Sequence, residues 1–187
     1  MKKKITFLPL LFSFLFTVLF TQTALPQDLS LLHEKTFATN PGKLLKIEAQ
    51  NGSVKIETWD KSEVYIKVLG NKKAKEKLEF KFKEEDWGVY ISAKRKDGFW
   101  SFNWGNSPRV RFEIMVPKSY NAKVSTAGGN IGVKNLTGNI EGKTSGGDFK
   151  LYNNVGKTNA STSGGDVIVK NSKGNTKATT SGGDISI

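Results

Sequence analysis

The chain has 187 residues, enough for one domain of ordinary size, and a formal net charge of +12 from 29 basic and 17 acidic residues. It contains no cysteine, which excludes disulfides, thiol catalysis and cysteine metal sites. With a single histidine, the sequence does not favour a Ser-His-Asp triad or a histidine-based metal site.

The first segment has the layout of a secretory signal peptide. Lysines at positions 2–4 precede an apolar run over 5–20, and a polar stretch follows. The run is shorter than the roughly 20 residues that span a bilayer, which argues against an uncleaved membrane anchor. We therefore predict a signal peptide over 1–24, with its end between 23 and 27, and export to the periplasm, the outer-membrane surface or the extracellular space. A polar N-terminal segment over 25–43 is predicted to follow.

The next region predicts β-strands that each bury one face. Apolar residues alternate with polar ones in successive runs at Leu45, Ile47, Ala49, Val54, Ile56, Val64, Ile66, Val68, Leu78, Phe80, Phe82, Val89, Ile91, Ala93, Val110, Phe112, Ile114 and Val116. The segment 71–77 has a helical composition, but it is too short to form a helix without packing and is interpreted as a connector. Because the composition changes near Pro117, we predict an antiparallel or mixed β region over 44–117.

Residues 118–187 are a glycine repeat. Glycines recur every nine residues, and doublets occur at every second step, so the period is 18 residues. This predicts coils of two short strands joined by tight turns. The predicted turn glycines are Gly128, Gly129, Gly138, Gly146, Gly147, Gly156, Gly164, Gly165, Gly174, Gly182 and Gly183. The predicted turn Asx residues are Asn130, Asp148, Asp166 and Asp184.

The fold class is therefore predicted as all-β, with an N-terminal β-strand region that runs into a short parallel β-solenoid, or β-helix, of 18-residue coils. The sequence ends at Ile187, shortly after the last doublet, so we expect a half-built final coil. An unpaired strand edge is a template for pairing with another chain. Self-association through the open solenoid end at Ile187 is therefore one expected interaction.

Calcium binding is a natural hypothesis for glycine-aspartate repeats of this length. Calcium-binding β-rolls carry GGxGxDxUx in both halves of each coil, whereas here the aspartate directly follows the doublet and the third glycine is missing. We therefore predict no metal and no cofactor, and expect the Asx side chains to accept hydrogen bonds from turn N–H groups.

An aromatic stripe is the candidate ligand contact in the sequence. Trp100, Phe102 and Trp104 alternate in GFWSFNWGNS and would share one face of a short strand. Such rings can stack on sugars or sit at a membrane interface. They can equally cover the first coil of a thin solenoid, which needs a hydrophobic cap. The sequence leaves both interpretations open.

Several of these features together resemble a bacterial β-solenoid family of unknown function labelled "putative adhesin", related in style to autotransporter adhesin head domains. The resemblance covers 34–187. It is carried by Pro41-Gly42, Asn51-Gly52-Ser53-Val54, Trp59-Asp60, Val116-Pro117 and the glycine doublets that precede an Asx residue. It implies the fold and an envelope location, and it brings no catalytic residues.

The leading functional hypothesis is a non-enzymatic exported envelope or cell-surface protein, adhesin-like or a structural scaffold, with an unknown ligand. The alternative is a carbohydrate-binding or carbohydrate-active β-helix protein that uses the aromatic stripe. A glycan-cleaving enzyme would need paired carboxylates. The acidic residues lie in predicted turns or exposed strand positions, so no catalytic residue is predicted. The basic charge favours an envelope polyanion or glycan as partner, and export argues against nucleic acid.

Overall fold

A computed structural model describes residues 29–96 and 107–187. The predicted signal peptide and the aromatic stripe Trp100, Phe102 and Trp104 lie outside the described residues. The strands are β1 Ser30–Ala38, β2 Leu44–Ala49, β3 Ser53–Trp59, β4 Glu63–Gly70, β5 Leu78–Glu85, β6 Gly88–Arg95, β7 Val110–Pro117, β8 Asn121–Thr126, β9 Ile131–Lys134, β10 Ile140–Lys143, β11 Phe149–Tyr152, β12 Thr158–Ser161, β13 Val167–Lys170, β14 Thr176–Thr179 and β15 Ile185–Ser186, and the helix α1 is Lys72–Lys77. The predicted all-β class is confirmed.

The strands form two sheets, with the apolar core between them. Sheet A has the order β1-β4-β7-β3-β9-β11-β13-β15, and sheet B has the order β14-β12-β10-β8-β2-β6-β5. From β8 onward the chain alternates between the sheets, so each coil gives one strand to each. Phe149 pairs in parallel with Ile131 on one side and Val167 on the other, which confirms the 18-residue coil.

The two sheets run without a break through both regions predicted from the sequence. Strand β2 pairs in parallel with both β6 and β8, and β3 pairs in parallel with both β7 and β9. The pair β2–β3 is thus a coil of the solenoid, inserted between the pair β6–β7 and the first glycine-rich coil. The change in composition near Pro117 therefore marks no structural boundary.

The glycines of the repeat have two different structural roles. Gly138, Gly156 and Gly174 have φ angles of 152°, 133° and 117°, which disfavour residues with a side chain. The second glycine of each doublet has no such angle; instead, a Cβ atom at Gly147 would overlap the carbonyl oxygen of Gly129 in the preceding coil. Gly129 stands in the same relation to Gly52, so the turn at Asn51-Gly52 begins this column.

Buried threonines form hydrogen bonds to the backbone of the same turns from the core side. The hydroxyl of Thr144 donates to the carbonyl oxygen of Gly129 at 2.9 Å and accepts from the N–H of Gly147 at 3.4 Å. Thr162 repeats both bonds one coil later. Both threonines are buried, and their polar atoms are satisfied, so a polar column is tolerated next to the apolar core.

The N-terminal segment differs from the prediction, because part of 25–43 is a strand. β1 pairs antiparallel with β4 at the edge of sheet A. The ring of His33 lies 4.9 Å from that of Phe80 and 5.4 Å from that of Phe82, both on the edge strand β5 of sheet B. The rings thus close the gap between the sheets at this end. The charged residues between His33 and Phe37 hid this pattern in the sequence.

The segment predicted as a connector contains the helix α1. Asn71 caps the helix, since its side-chain oxygen accepts from the Ala74 N–H at 2.9 Å, and Ala74 is fully buried. Capping and packing thus supply the stability that so short a helix lacks in isolation. No helix in the described ranges is long and apolar enough to span a membrane.

The close approach of the coils predicts different costs for the two glycines of one doublet. Gly147→Ala places a methyl group against the backbone of the preceding coil and should cost about 2 kcal/mol or more. Gly146→Ala is the matched control, because its nearest atom would be 3.9 Å away and its φ is not positive. Thermal melts of both variants check this. Equal destabilisation by the two substitutions would contradict the stacking argument.

His33 should make stability depend on pH. Burial against the two rings, with a smaller effect of Lys35, lowers the pKa of His33 below its ordinary value of 6.5. The folded state therefore binds fewer protons than the unfolded state, and stability should fall as the pH decreases through 6.5 towards the folded pKa. The loss of stability is measured as the difference between the urea midpoints at pH 7.5 and pH 5, and His33→Phe should reduce this difference. An unchanged difference in that variant would show that carboxylates, rather than His33, cause the loss of stability at low pH.

Candidate functional site

One corner of the solenoid carries the predicted turn Asx residues in a column. The side-chain oxygen of Asn130 accepts from the N–H of Asp148 at 2.9 Å, that of Asp148 accepts from Asp166 at 3.2 Å, and that of Asp166 accepts from Asp184 at 2.9 Å. Each side chain thus links its own coil to the next. The column serves the backbone rather than a ligand.

The carboxylates of Asp148 and Asp166 in this corner are already engaged. Asp148 also pairs with Lys150 at 2.9 Å, and these contacts, the lysine first and the Asp166 N–H second, lower the pKa of Asp148. Across the described ranges, no group of three or more His, Cys, Asp or Glu side chains is placed to hold a metal ion. Both carboxylate oxygens of Asp148 are therefore used by protein partners.

The opposite corner is built from asparagines. Asn135, Asn153 and Asn171 have φ angles of 61°, 57° and 52°, in the left-handed region that asparagine tolerates better than most residues. The amide of Asn153 donates to the side-chain oxygen of Asn135 at 3.1 Å. Beside this column, the buried Asn154 accepts from the Leu136 N–H and donates to the Val133 carbonyl. Both corners are therefore committed to holding the coils in register.

The outer face of sheet B offers a different surface. A shallow cavity of about 460 Å³ runs across the strands there, and we call it the polar groove. One wall carries Leu44, Asn121, Asn139 and Lys157, and the other carries Lys123, Glu141 and Asn159, above the backbone of Ala122 and Ile140. Residues at matching positions of successive strands form each wall, since Lys123, Glu141, Asn159 and Lys177 are paired in register.

The charges around the polar groove are not balanced. Glu141 pairs with Lys123 at 2.9 Å, which neutralises the carboxylate that lines the groove. Lys157, at the end of one wall, and Lys177, one strand beyond the other wall, are exposed and have no carboxylate within 4.0 Å among the described residues. The end of the groove near β12 and β14 is therefore cationic.

The sequence contained a signal for this groove that the inward columns masked. At the 18-residue period, Asn121, Asn139, Lys157 and Asn175 share one column, and Lys123, Glu141, Asn159 and Lys177 share another. These outward columns flank the buried column that contains Ala122 and Ile140. What distinguishes these two columns is the combination of a cavity between them and, at one end of it, two lysines without an ion pair among the described residues.

The comparisons with known proteins point to one family and one fold. The family model described as Toastrack DUF4097 matches residues 43–187. A "putative cell adhesion protein" from Clostridium sporogenes is 14% identical, with a TM-score of 0.60 over 83% of this chain and 98% of that chain. At this identity the similarity shows a shared fold. The resemblance inferred from the sequence is confirmed.

Two further solved structures are more distant. A "putative adhesin" from Bacteroides fragilis is 10% identical, with a TM-score of 0.35 over 86% of this chain and 98% of that chain. A "putative lipid binding protein" from Parabacteroides distasonis is 10% identical, with a TM-score of 0.28 over 87% of this chain and 98% of that chain. No curated protein matches the sequence.

The Asx corner yields a test of its structural role. Asp166→Ala removes the acceptor for the Asp184 N–H and should cost about 1 kcal/mol, whereas Asp166→Asn keeps an oxygen in place and should cost less. Asn130 already fills this role in the first rung. Thermal melts measure both variants, and millimolar calcium should shift neither melt. A calcium-induced rise in the wild-type Tm that Asp166→Asn abolishes would instead establish a metal site.

Proposed function

This chain belongs to the Toastrack DUF4097 family, and we propose that it acts as a non-enzymatic, adhesin-like scaffold in the cell envelope or at the cell surface. The similarity in fold to the "putative cell adhesion protein" of Clostridium sporogenes supports the adhesive role. The signal-peptide pattern at positions 1–24 supports export.

The observation that carries the proposal is the continuity of the two sheets. Eight strands in one sheet and seven in the other are joined by hydrogen-bonded ladders across the described residues. Their outward side chains therefore stand in fixed rows on two flat faces. A fixed array of this kind suits the recognition of an extended surface partner better than the enclosure of a small substrate.

The rigidity of the rows follows from the corners. Asx side chains, asparagines with positive φ and inward threonines tie every coil to its neighbour through local hydrogen bonds. Little conformational entropy remains to be lost when a partner binds such a pre-organised face. Export would place this face next to envelope polymers, which are the partners the basic charge favours.

Adsorption and localisation test the proposal together. The full chain, expressed in a bacterial host and fractionated, should appear outside the cytoplasm with its first residue between positions 24 and 28. The purified product should co-sediment with isolated bacterial envelopes. Retention in the cytoplasm, or failure to co-sediment at low ionic strength, would contradict the proposal.

A variant separates scaffold binding from binding through the aromatic stripe. The double substitution Trp100→Ala, Trp104→Ala should leave envelope adsorption unchanged if the sheet faces make the contact. Loss of adsorption in this variant alone, with an unchanged Tm, would favour a carbohydrate-binding protein that uses the stripe. Thermal melts of both proteins serve as the folding control.

A further inference from the structure

We propose that the polar groove on sheet B binds an acidic polysaccharide that lies along the stack of coils. The inference rests on the proposed function, since it names the partner that an envelope scaffold would hold. Three independent features of the groove support it: its shape, its free hydrogen-bonding groups and its unbalanced charge.

The shape of the groove fits an extended polymer. Its walls stand two residues apart on each strand, or about 7 Å, and each wall repeats with the strand spacing of about 4.8 Å. The groove crosses strands β2, β8, β10 and β12 and is lined at one end by Leu44 and at the other by Lys157 and Asn159. A chain molecule laid across the strands would thus meet one pair of side chains per coil, at equivalent positions but of different residue types.

The free amides of the groove fit hydroxyl groups. Within the described ranges, the side chains of Asn139 and Asn159 make no hydrogen bond to other protein groups, although the backbone N–H of Asn139 donates to Asn121. Each amide offers two donor hydrogens and an acceptor oxygen. One of these groups lies on each wall, and the two are one strand apart along the groove, so an extended polyhydroxylated chain would reach both.

The charge of the groove calls for an anion. Lys157 and Lys177 are exposed, stand on neighbouring strands and have no carboxylate within reach among the described residues, while Glu141 is neutralised by Lys123. An acidic sugar unit at this end would be attracted by both ammonium groups. Because the groove walls present amides and ions and, apart from Leu44 at one end, no apolar or aromatic side chain among the described residues, they fit a polysaccharide better than a lipid surface or stacked bases.

Binding of a short oligogalacturonate to the full chain tests this, with calorimetry as the readout. The double substitution Lys157→Gln, Lys177→Gln should raise Kd roughly tenfold, since two exposed ion pairs are lost. The matched control is Lys170→Gln, Lys173→Gln. These two lysines are also exposed and have no carboxylate within 4.0 Å among the described residues, but they lie on sheet A and on an edge of the coils. The control should change Kd by less than twofold.

A second pair of substitutions tests the amides. Asn139→Ala, Asn159→Ala should weaken oligogalacturonate binding several-fold without changing the net charge or the dependence on salt. A neutral dextran oligosaccharide should bind more weakly than oligogalacturonate, and added salt should reduce the difference. Unchanged melts in all variants show that the fold is intact.

Three results would overturn the inference. They are an equal loss of affinity in the Lys170/Lys173 control, unchanged affinity in the asparagine variant, and no measurable oligogalacturonate binding by the wild type. Anionic vesicles that bind with the same dependence on Lys157 and Lys177 would assign the groove to lipid headgroups instead. If oligogalacturonate fails to bind while envelopes still adsorb the wild-type protein, this inference falls and the proposed function stands.

Discussion

The contact between a glycine and the carbonyl oxygen of the glycine one coil below sets the geometry of the whole stack. Gly129, Gly147, Gly165 and Gly183 each approach the preceding backbone so closely that a methyl group would not fit. Because the coils touch here, the ladders on both sides lie in register, and the threonines inside the turn reach the same carbonyl groups. The apolar core is thin as a result. Phe149 fills part of it with a ring that occupies the space above Gly142.

The same contact explains how a coil from far earlier in the chain joins the stack. Gly52 lies beneath Gly129 as Gly129 lies beneath Gly147, and the hydroxyl of Thr126 donates to the Gly52 carbonyl at 3.0 Å. Strands β2 and β3 thus offer the same docking surface as a repeat coil. The chain then forms β4 to β7, which build the closed end, before it returns to continue on top of β2 and β3. The folded stack therefore depends on contacts between segments of large sequence separation, which slow folding relative to local contacts.

The sequence predicted the stacked coils, which are periodic, but it did not predict the parts of the fold that have no period. The 18-residue period identified the coils, because columns of equivalent residues report the strand pairing directly. The insertion of β2–β3 between two later pairs leaves no period, and so the sequence does not reveal that both sheets continue across the change in composition near Pro117. β1 escaped notice because an edge strand at the closed end carries charged residues such as Lys35 between inward ones. The two polar columns of the groove are visible in the sequence. Which of their lysines lie within reach of a carboxylate depends on side-chain rotamers and on neighbouring coils, which the sequence does not give.

Side chains at the corners of the solenoid and side chains on its faces have different roles, and this difference determines where a partner can bind. At the corners, the side chains of Asp148 and Thr162 each complete a backbone hydrogen bond, and the amide of Asn153 bonds to the side chain of Asn135, so substitution there changes stability first. Among the outward residues that line the groove, the side chain of Asn121 bonds to the backbone, whereas those of Glu141 and Asn159 do not within the described ranges. The latter two differ in type although they lie in one row. A lysine that lacks an ion pair on such a face contributes little to folding. Lys157 and Lys177 are therefore available to bind a partner. The fixed spacing of the strands beneath them constrains the shape of that partner.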